Sequence, residues 1–180
     1  MSGLQTTQNN NRIKRRRFNM AISVGDKIPS ISFKQFGDDG LKDVGTEEYC
    51  KGRKVIIFAV PGAFTPTCSA QHLPSFQNNA EALLSKGVDA IACVSVNDAF
   101  VMQAWGDSQK VGSNIDMLAD GNGEFARATG LTLDGTGFGL GERTTRFSML
   151  IEDGVVTQLN VEDNPGELNV SSAEYLLENI

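Results

Sequence analysis

Val55-Ile56-Ile57-Phe58-Ala59-Val60 runs directly into Pro61-Gly62-Ala63-Phe64-Thr65-Pro66-Thr67-Cys68-Ser69. The first six residues are continuous, apolar and largely β-branched, the pattern of a strand buried on both faces. After the Pro- and Gly-containing turn, Leu73, Phe76, Ala80, Leu83 and Leu84 recur at helical spacing until Lys86-Gly87 closes the segment. Pro74 is expected to bend that helix near its start. A single thiol, Cys68, therefore stands at a strand-to-helix turn, where helix-terminal N–H groups favour negative charge and so the reactive thiolate. Position 65 is threonine, so the C-x-x-C dithiol motif is absent, and a hydroxyl takes its place beside the sulfur.

Working outward, Ala90 to Val96 reads as a second buried strand. Phe100, Val101, Ala104 and Trp105 line one face of a second helix, with Asn97 or Asp98 available as its cap. This is a βαβ unit. A short strand near Met117-Leu118 and a helix over Glu124 to Thr129 follow. Then come a Gly-rich loop from Leu133 to Gly141 and a hairpin, Arg146 to Ile151 and Val155 to Val161, turned at Glu152-Asp153-Gly154. Ser171 or Ser172 can cap a last helix through Leu177. A βαβ half joined to a ββα half predicts an α/β fold, a thioredoxin-like α/β/α sandwich with a central mixed sheet.

With 180 residues and 40% apolar side chains, the chain is long enough for one substantial core and short for two. One domain over residues 21–180 is expected. The first twenty residues carry Arg12, Lys14, Arg15, Arg16 and Arg17 with no acid, leaving eleven basic against 22 acidic side chains for the rest. So acidic a body does not suit nucleic acid phosphates. Residues 1–20 lack the apolar residues needed to pack and are expected to be a disordered extension, with an organellar presequence as the competing reading. No run of about 20 apolar residues is present, and no secretory h-region follows the N-terminal charges, so no membrane association is expected. Three cysteines, Cys50, Cys68 and Cys93, are too few and too odd for a disulfide framework and fit a reducing compartment, read as the cytoplasm.

The PGAFTPTC run, the following Ser69-Ala70-Gln71-His72-Leu73-Pro74-Ser75-Phe76, the later Cys93-Val94-Ser95-Val96-Asn97-Asp98-Ala99-Phe100 and Arg146-Phe147-Ser148-Met149 together resemble the type II peroxiredoxins, in unbroken order from about Ile22 to the C-terminus. The resemblance implies a thiol peroxidase acting on hydrogen peroxide and small alkyl hydroperoxides through a cysteine sulfenic acid. Cys68 matches the peroxidatic cysteine, Thr65 its hydroxyl partner and Arg146 the arginine facing the peroxide. Attack by a thiolate expels hydroxide or alkoxide, and a fixed guanidinium can stabilise both the nucleophile and the leaving oxygen. Thr65 Oγ and the N–H groups of Thr67 and Cys68 would hold the peroxide, while Pro61 and Pro66 shape the turn. The chemistry calls for no metal or organic cofactor. By residue type alone, an exposed strand-end charge is the favoured reading of Arg146, and the family resemblance reverses that order.

Cys93, 25 residues after Cys68, resembles a resolving cysteine of some family members, but its strand setting suits a small core side chain as well. The C-terminal resolving cysteine of the animal branch is replaced by Asn169-Val170-Ser171. That departure favours reduction by an outside thiol: glutathione with glutaredoxin, or thioredoxin. Cys50, in a polar stretch, is expected to be incidental. His72, the lone histidine, is expected to be structural and to bond a loop near the site, since a zinc site needs about four ligands and no others are in view. Trp105 is expected in the core or an interface. The resemblance also implies a homodimer, with Phe64 and Phe100 as contact candidates. Two further functional classes remain: a peroxide sensor or relay passing oxidation to a partner, and a holdase that merely keeps the fold. Retention of Thr65, Cys68 and Arg146 speaks against the last.

Overall fold

The structure, a computed structural model, describes residues 20–180. The extension expected over residues 1–20 falls, apart from Met20, outside them. Seven strands form the central sheet: β1 (Ser32–Gly37), β2 (Gly40–Gly45), β3 (Lys54–Ala59), β4 (Ala90–Ser95), β5 (Asp116–Ala119), β8 (Phe147–Glu152) and β9 (Val155–Val161). Their order is β2-β1-β5-β4-β3-β8-β9. The β3, β4 and β5 strands run parallel, while β1 and β8 join them antiparallel, so the sheet is mixed. The thioredoxin-like expectation holds.

Alternation along the central strands supplies both faces of the core. On one face Ile56, Phe58, Ile91, Cys93 and Leu150 pack under α2 (Leu73–Ser85), α3 (Ala99–Ser108) and α5 (Ala173–Asn179). On the other, Val55, Ile57, Ala92, Val94 and Met149 pack against α1 (Thr46–Cys50) and α4 (Glu124–Thr129) through residues such as Cys50 and Phe125. These layers make the α/β/α sandwich. Asp98 caps α3 by accepting from Val101 N–H at 2.9 Å, and Ser172 caps α5 by accepting from Tyr175 N–H at 3.2 Å. The β8–β9 turn places Asp153 (φ 47°) and Gly154 (φ 79°) in the left-handed region, as a two-residue hairpin matching the strand twist requires.

Four features differ from the sequence reading. The face of α3 that meets the core carries Ala99, Met102 and Trp105, while Phe100 and Ala104 of the expected apolar face are exposed. The β1–β2 hairpin and α1 were not anticipated, because residues 32–45 are mostly exposed or half-exposed and show no clear period. The Gly-rich loop is not wholly irregular: β6 (Thr132–Asp134) and β7 (Glu142–Thr144) pair across a 3₁₀ turn at Thr136–Phe138. Finally, Cys68–His72 is a π-helical turn rather than a regular α-helix bent at Pro74. Pro74 has no N–H to give the Ala70 carbonyl, and the turn ahead of it widens, with Leu73 N–H donating to the Cys68 carbonyl five residues back.

Candidate active site

Two strand ends build the site. Ala59 at the end of β3 pairs with Phe147 at the start of β8, so Arg146, one residue before β8, is set beside Val60 where the active-site turn begins. The chain then turns through Pro61 to Thr65 and becomes helical at Pro66, whose missing N–H suits a first helical position. Ala63 N–H donates to Asn97 Oδ1 at 3.0 Å and Thr65 N–H to the Gly62 carbonyl at 3.3 Å. Between these bonds Phe64 adopts φ 65°, a strained conformation for a bulky side chain, and the residue is 56% exposed.

Arg146 is not an exposed strand-end charge: it is 2% exposed. Its guanidinium donates through Nη2 to Cys68 Sγ at 3.1 Å, through Nη1 to His72 Nδ1 at 2.9 Å, and through Nε to the Pro165 carbonyl at 2.9 Å. The ion pairs found among the described residues, Lys34–Asp43, Lys54–Glu152 and Arg127–Glu142, do not include it. A buried guanidinium without a carboxylate seeks negative charge, and the sulfur it touches is the group that can supply it.

His72 is fully buried, and its tautomer follows from its neighbours. Arginine only donates, so Nδ1 is the acceptor; Nε2 lies 3.0 Å from the Ser171 carbonyl and must carry the hydrogen. Burial and then the adjacent Arg146 push the ring's pKa down to about 3, so the imidazole is neutral at physiological pH. His72 does bond a loop near the site, as expected. Its bond to Arg146 has no counterpart in the sequence reading; the spacing of four residues from Cys68 is the available signal.

Thr65 Oγ donates to the Gly62 carbonyl at 2.7 Å, which commits its hydrogen and leaves its lone pairs to accept. Thr67 Oγ donates to the Gly166 carbonyl at 2.8 Å, tying the helix start to the loop before α5. Pro61, Thr65, Thr67 and Arg146 line one cavity of about 350 Å³, with Leu133, Phe138 and Leu140 on its apolar side. Cys68 is fully buried and does not line it; Arg146 links the sulfur to the cavity. A larger cavity of about 710 Å³ lies between β1 and α3 and contains no thiol.

Cys93 is fully buried on β4, and burial holds its thiol well above the ordinary range, with Cys68 and Arg146 as its electrostatic neighbours. All three cysteines are free thiols. Cys50, far from lying in a polar surface stretch, is fully buried at the end of α1, and burial raises its thiol to about 11. Trp105 is also fully buried and donates from Nε1 to Ser69 Oγ at 3.0 Å. Phe100 is 69% exposed and meets Phe36 edge-on. Among the described residues no group of three or more His, Cys, Asp and Glu side chains is placed to hold a metal, and no helix is long and apolar enough to cross a membrane.

Comparison with known proteins supplies the family. The Redoxin family model matches residues 23–177. Peroxiredoxin-2E-2, chloroplastic, of Oryza sativa subsp. japonica is 51% identical over 161 residues, covering 87% of this chain and 71% of that protein. Peroxiredoxin-2D of Arabidopsis thaliana is 48% identical, over 87% of this chain and 96% of that one. Among solved structures, reduced Prx3 from Vibrio vulnificus in complex with H2O2 superposes with a TM-score of 0.84 at 49% identity, over 88% of this chain and 98% of that one. Peroxiredoxin 5 from Alvinella pompejana gives 0.76 at 33% identity, over 87% and 96% of the two chains. With a buried thiol under a guanidinium at the turn after β3, on a fold those structures share across nearly their whole length, the chain belongs to the peroxiredoxins of the thioredoxin-fold superfamily, thiol-dependent peroxidases.

Proposed function

We propose that Cys68 is the peroxidatic nucleophile, Arg146 its electrostatic partner and Thr65 the acceptor that orients the peroxide. The observation that carries this assignment is the 3.1 Å contact from Arg146 Nη2 to Cys68 Sγ in a buried site where, among the described residues, no carboxylate forms an ion pair with the guanidinium. The thiolate attacks one peroxide oxygen. An S–O bond forms as the O–O bond breaks, and the leaving oxygen takes a proton to depart as water or alcohol, leaving Cys68 as sulfenic acid. Three of the guanidinium's five N–H groups have protein partners, so the others can turn to a ligand in the cavity that Arg146 lines. Thr65 Oγ, its hydrogen committed to Gly62, accepts the peroxide O–H, and first-turn N–H groups at Thr67 and Cys68 offer further donors. Pro61 shapes the turn at the cavity wall. Hydrogen peroxide and small alkyl hydroperoxides are the substrates this reading assigns, the alkyl part lying against Leu133, Phe138 and Leu140.

For regeneration, an outside thiol attacks the sulfenic sulfur and releases water, and a second thiol resolves the mixed disulfide. Glutathione with glutaredoxin is favoured over thioredoxin. Burial of Cys93 within the sheet supports an outside thiol over Cys93 as the resolving group, since a bond to Cys68 would have to form inside the core or after local unfolding. A steady-state peroxidase assay with each reductant system decides: turnover with glutaredoxin alone supports the reading, and turnover restricted to a specific oxidised partner protein favours a sensor or relay. The exposed, strained Phe64 and exposed Phe100 support a homodimer through the edge near the active-site turn. Sedimentation equilibrium tests it, a concentration-independent monomer being the contrary result.

A second reading concerns location. Two similar relatives, at 51% and 47% identity, are named as chloroplastic, and residues 1–20 here carry five cations and no acid. Fusing residues 1–20 to a fluorescent protein separates an organellar presequence, seen as a punctate or plastid signal, from the cytoplasmic reading, seen as diffuse fluorescence.

A further inference from the structure

We propose that Glu162 is a positioning residue for the peroxide-reducing site, acting through the loop of residues 163–171 to hold Arg146 against Cys68. This rests on the assignment of Cys68 and Arg146 above.

Glu162 follows β9 directly and is 5% exposed, a burial uncommon for a carboxylate. Its backbone is tied to Arg146, with Glu162 N–H donating to the Arg146 carbonyl at 3.0 Å. Its side chain gathers the far end of the loop: Oε1 accepts from Asn169 N–H at 2.7 Å, Ser171 N–H at 2.8 Å and Ser171 Oγ at 2.7 Å. One carboxylate oxygen thus closes a ring of chain that starts and finishes beside the active site.

What the ring presents inward is a set of carbonyls. Ser171 supplies the acceptor for His72 Nε2, Pro165 the acceptor for Arg146 Nε, and Gly166 the acceptor for Thr67 Oγ. Two of these three bonds act on the guanidinium, one directly and one through the imidazole that accepts from Nη1. Besides these, the loop is held by Asn164 accepting from Gly166 N–H and Glu167 N–H, by Asn169 Nδ2 donating to Glu167 at 3.4 Å and by Ser172 Oγ donating to the Asn169 carbonyl at 3.3 Å, and residues 163, 164, 166 and 167 are exposed. Releasing Oε1 removes the three bonds that tie Asn169 and Ser171 to the end of β9, which loosens the Ser171 and Pro165 carbonyls and the guanidinium with them. Displacements of about 1 Å at a reacting centre are enough to cost large factors in rate.

The test is a stopped-flow measurement of the second-order rate of hydrogen peroxide with the reduced full chain, in wild type, Glu162→Ala, Glu162→Asp, Glu162→Gln, Arg146→Ala, the Glu162→Ala/Arg146→Ala double variant and Cys68→Ser. Circular dichroism confirms folding of each. Glu162→Ala and Glu162→Asp, the latter withdrawing the carboxylate by one methylene, are expected to slow the reaction about tenfold or more. Glu162→Gln keeps an acceptor oxygen in place and is expected to stay within about threefold of wild type. In the Arg146→Ala background, Glu162→Ala should change the rate by less than about twofold, because its action passes through the guanidinium. If Glu162→Ala does not fold, Glu162→Asp carries the comparison. Wild-type rates in both Glu162→Ala and Glu162→Asp, or a loss that multiplies undiminished onto Arg146→Ala, would overturn the proposal. Undiminished reaction of Cys68→Ser would instead remove the assignment beneath it, so the two failures are told apart.

Discussion

Arg146 and His72, 74 positions apart in the chain, meet through one buried hydrogen bond in which Nη1 donates to Nδ1 at 2.9 Å. The bond exists only while the imidazole is neutral, since a protonated ring offers Arg146 no lone pair and repels its charge. Phe58 and Phe76, stacked at 3.9 Å, hold the imidazole from its apolar side, with ring centroids 5.0 and 5.7 Å from it.

An acid-sensitive stability follows. The pKa of His72, about 3 in the fold, lies below the ordinary histidine value of about 6.5, so between these pH values the unfolded chain binds a proton that the folded chain refuses. Stability therefore rises with pH through that window and is fully present above it. The limiting slope is about 1.4 kcal/mol per pH unit, or about 2 kcal/mol lost between pH 7 and pH 5 from this residue. Urea unfolding at those two pH values should show a smaller loss for His72→Gln than for wild type. Equal losses would mean that His72 titrates normally in the fold.

Removing the guanidinium removes the cation that donates to the sulfur. Arg146→Ala should lower the second-order rate with peroxide by about two decades or more, at about 1.4 kcal/mol per decade. Arg146→Lys restores the charge without the planar set of donors that serves Sγ, Nδ1 and the Pro165 carbonyl together, and should recover only part of the loss. A change under about threefold in Arg146→Ala would return the residue to a structural role.

The cysteines should separate by reactivity. Burial raises Cys50 to about 11 and holds Cys93 well above the ordinary range, so both stay protonated at pH 7. Brief treatment of the reduced protein with iodoacetamide, followed by peptide mass spectrometry, should find the label at Cys68 first. Faster labelling of Cys50 or Cys93 would contradict the environment described for all three.

Much of this architecture is legible in the residues. Val55–Val60, Ala90–Val96 and the helix-spaced residues after Leu73 are long, strongly patterned segments, and the structure places β3, β4 and α2 there. The β1–β2 hairpin is harder to read because it is a sheet edge, with only Phe33 fully buried among its residues, so neither face writes a period into the sequence. The site divides the same way. Cys68 and Thr65 declare themselves locally, by the turn they occupy. Arg146 is visible only through its family resemblance, because the groups that make its burial tolerable, His72 and the Pro165 carbonyl, come from elsewhere in the chain. Glu162 leaves little local signal, since two of its three bonds come from the backbone N–H groups of Asn169 and Ser171, which every residue but proline possesses, and the Ser171 hydroxyl is the one side-chain donor.

Regeneration distinguishes two chemistries. With an outside thiol, Cys93→Ser leaves glutaredoxin-supported turnover largely unchanged, and wild type oxidised without reductant proceeds to sulfinic acid under excess peroxide. Peptide mapping after one equivalent of peroxide is the check, and quantitative recovery of a 68–93 disulfide would reverse the assignment.

If the sulfur of Cys68 breaks the peroxide bond, steady-state peroxide consumption depends on that one cysteine, and serine variants measure the dependence. With glutathione and glutaredoxin present, Cys68→Ser is predicted to consume no peroxide above the background of the reductants, while Cys50→Ser, altered only in the core beneath α1, keeps nearly full activity. Retention of most turnover in Cys68→Ser would mean that another group breaks the peroxide bond.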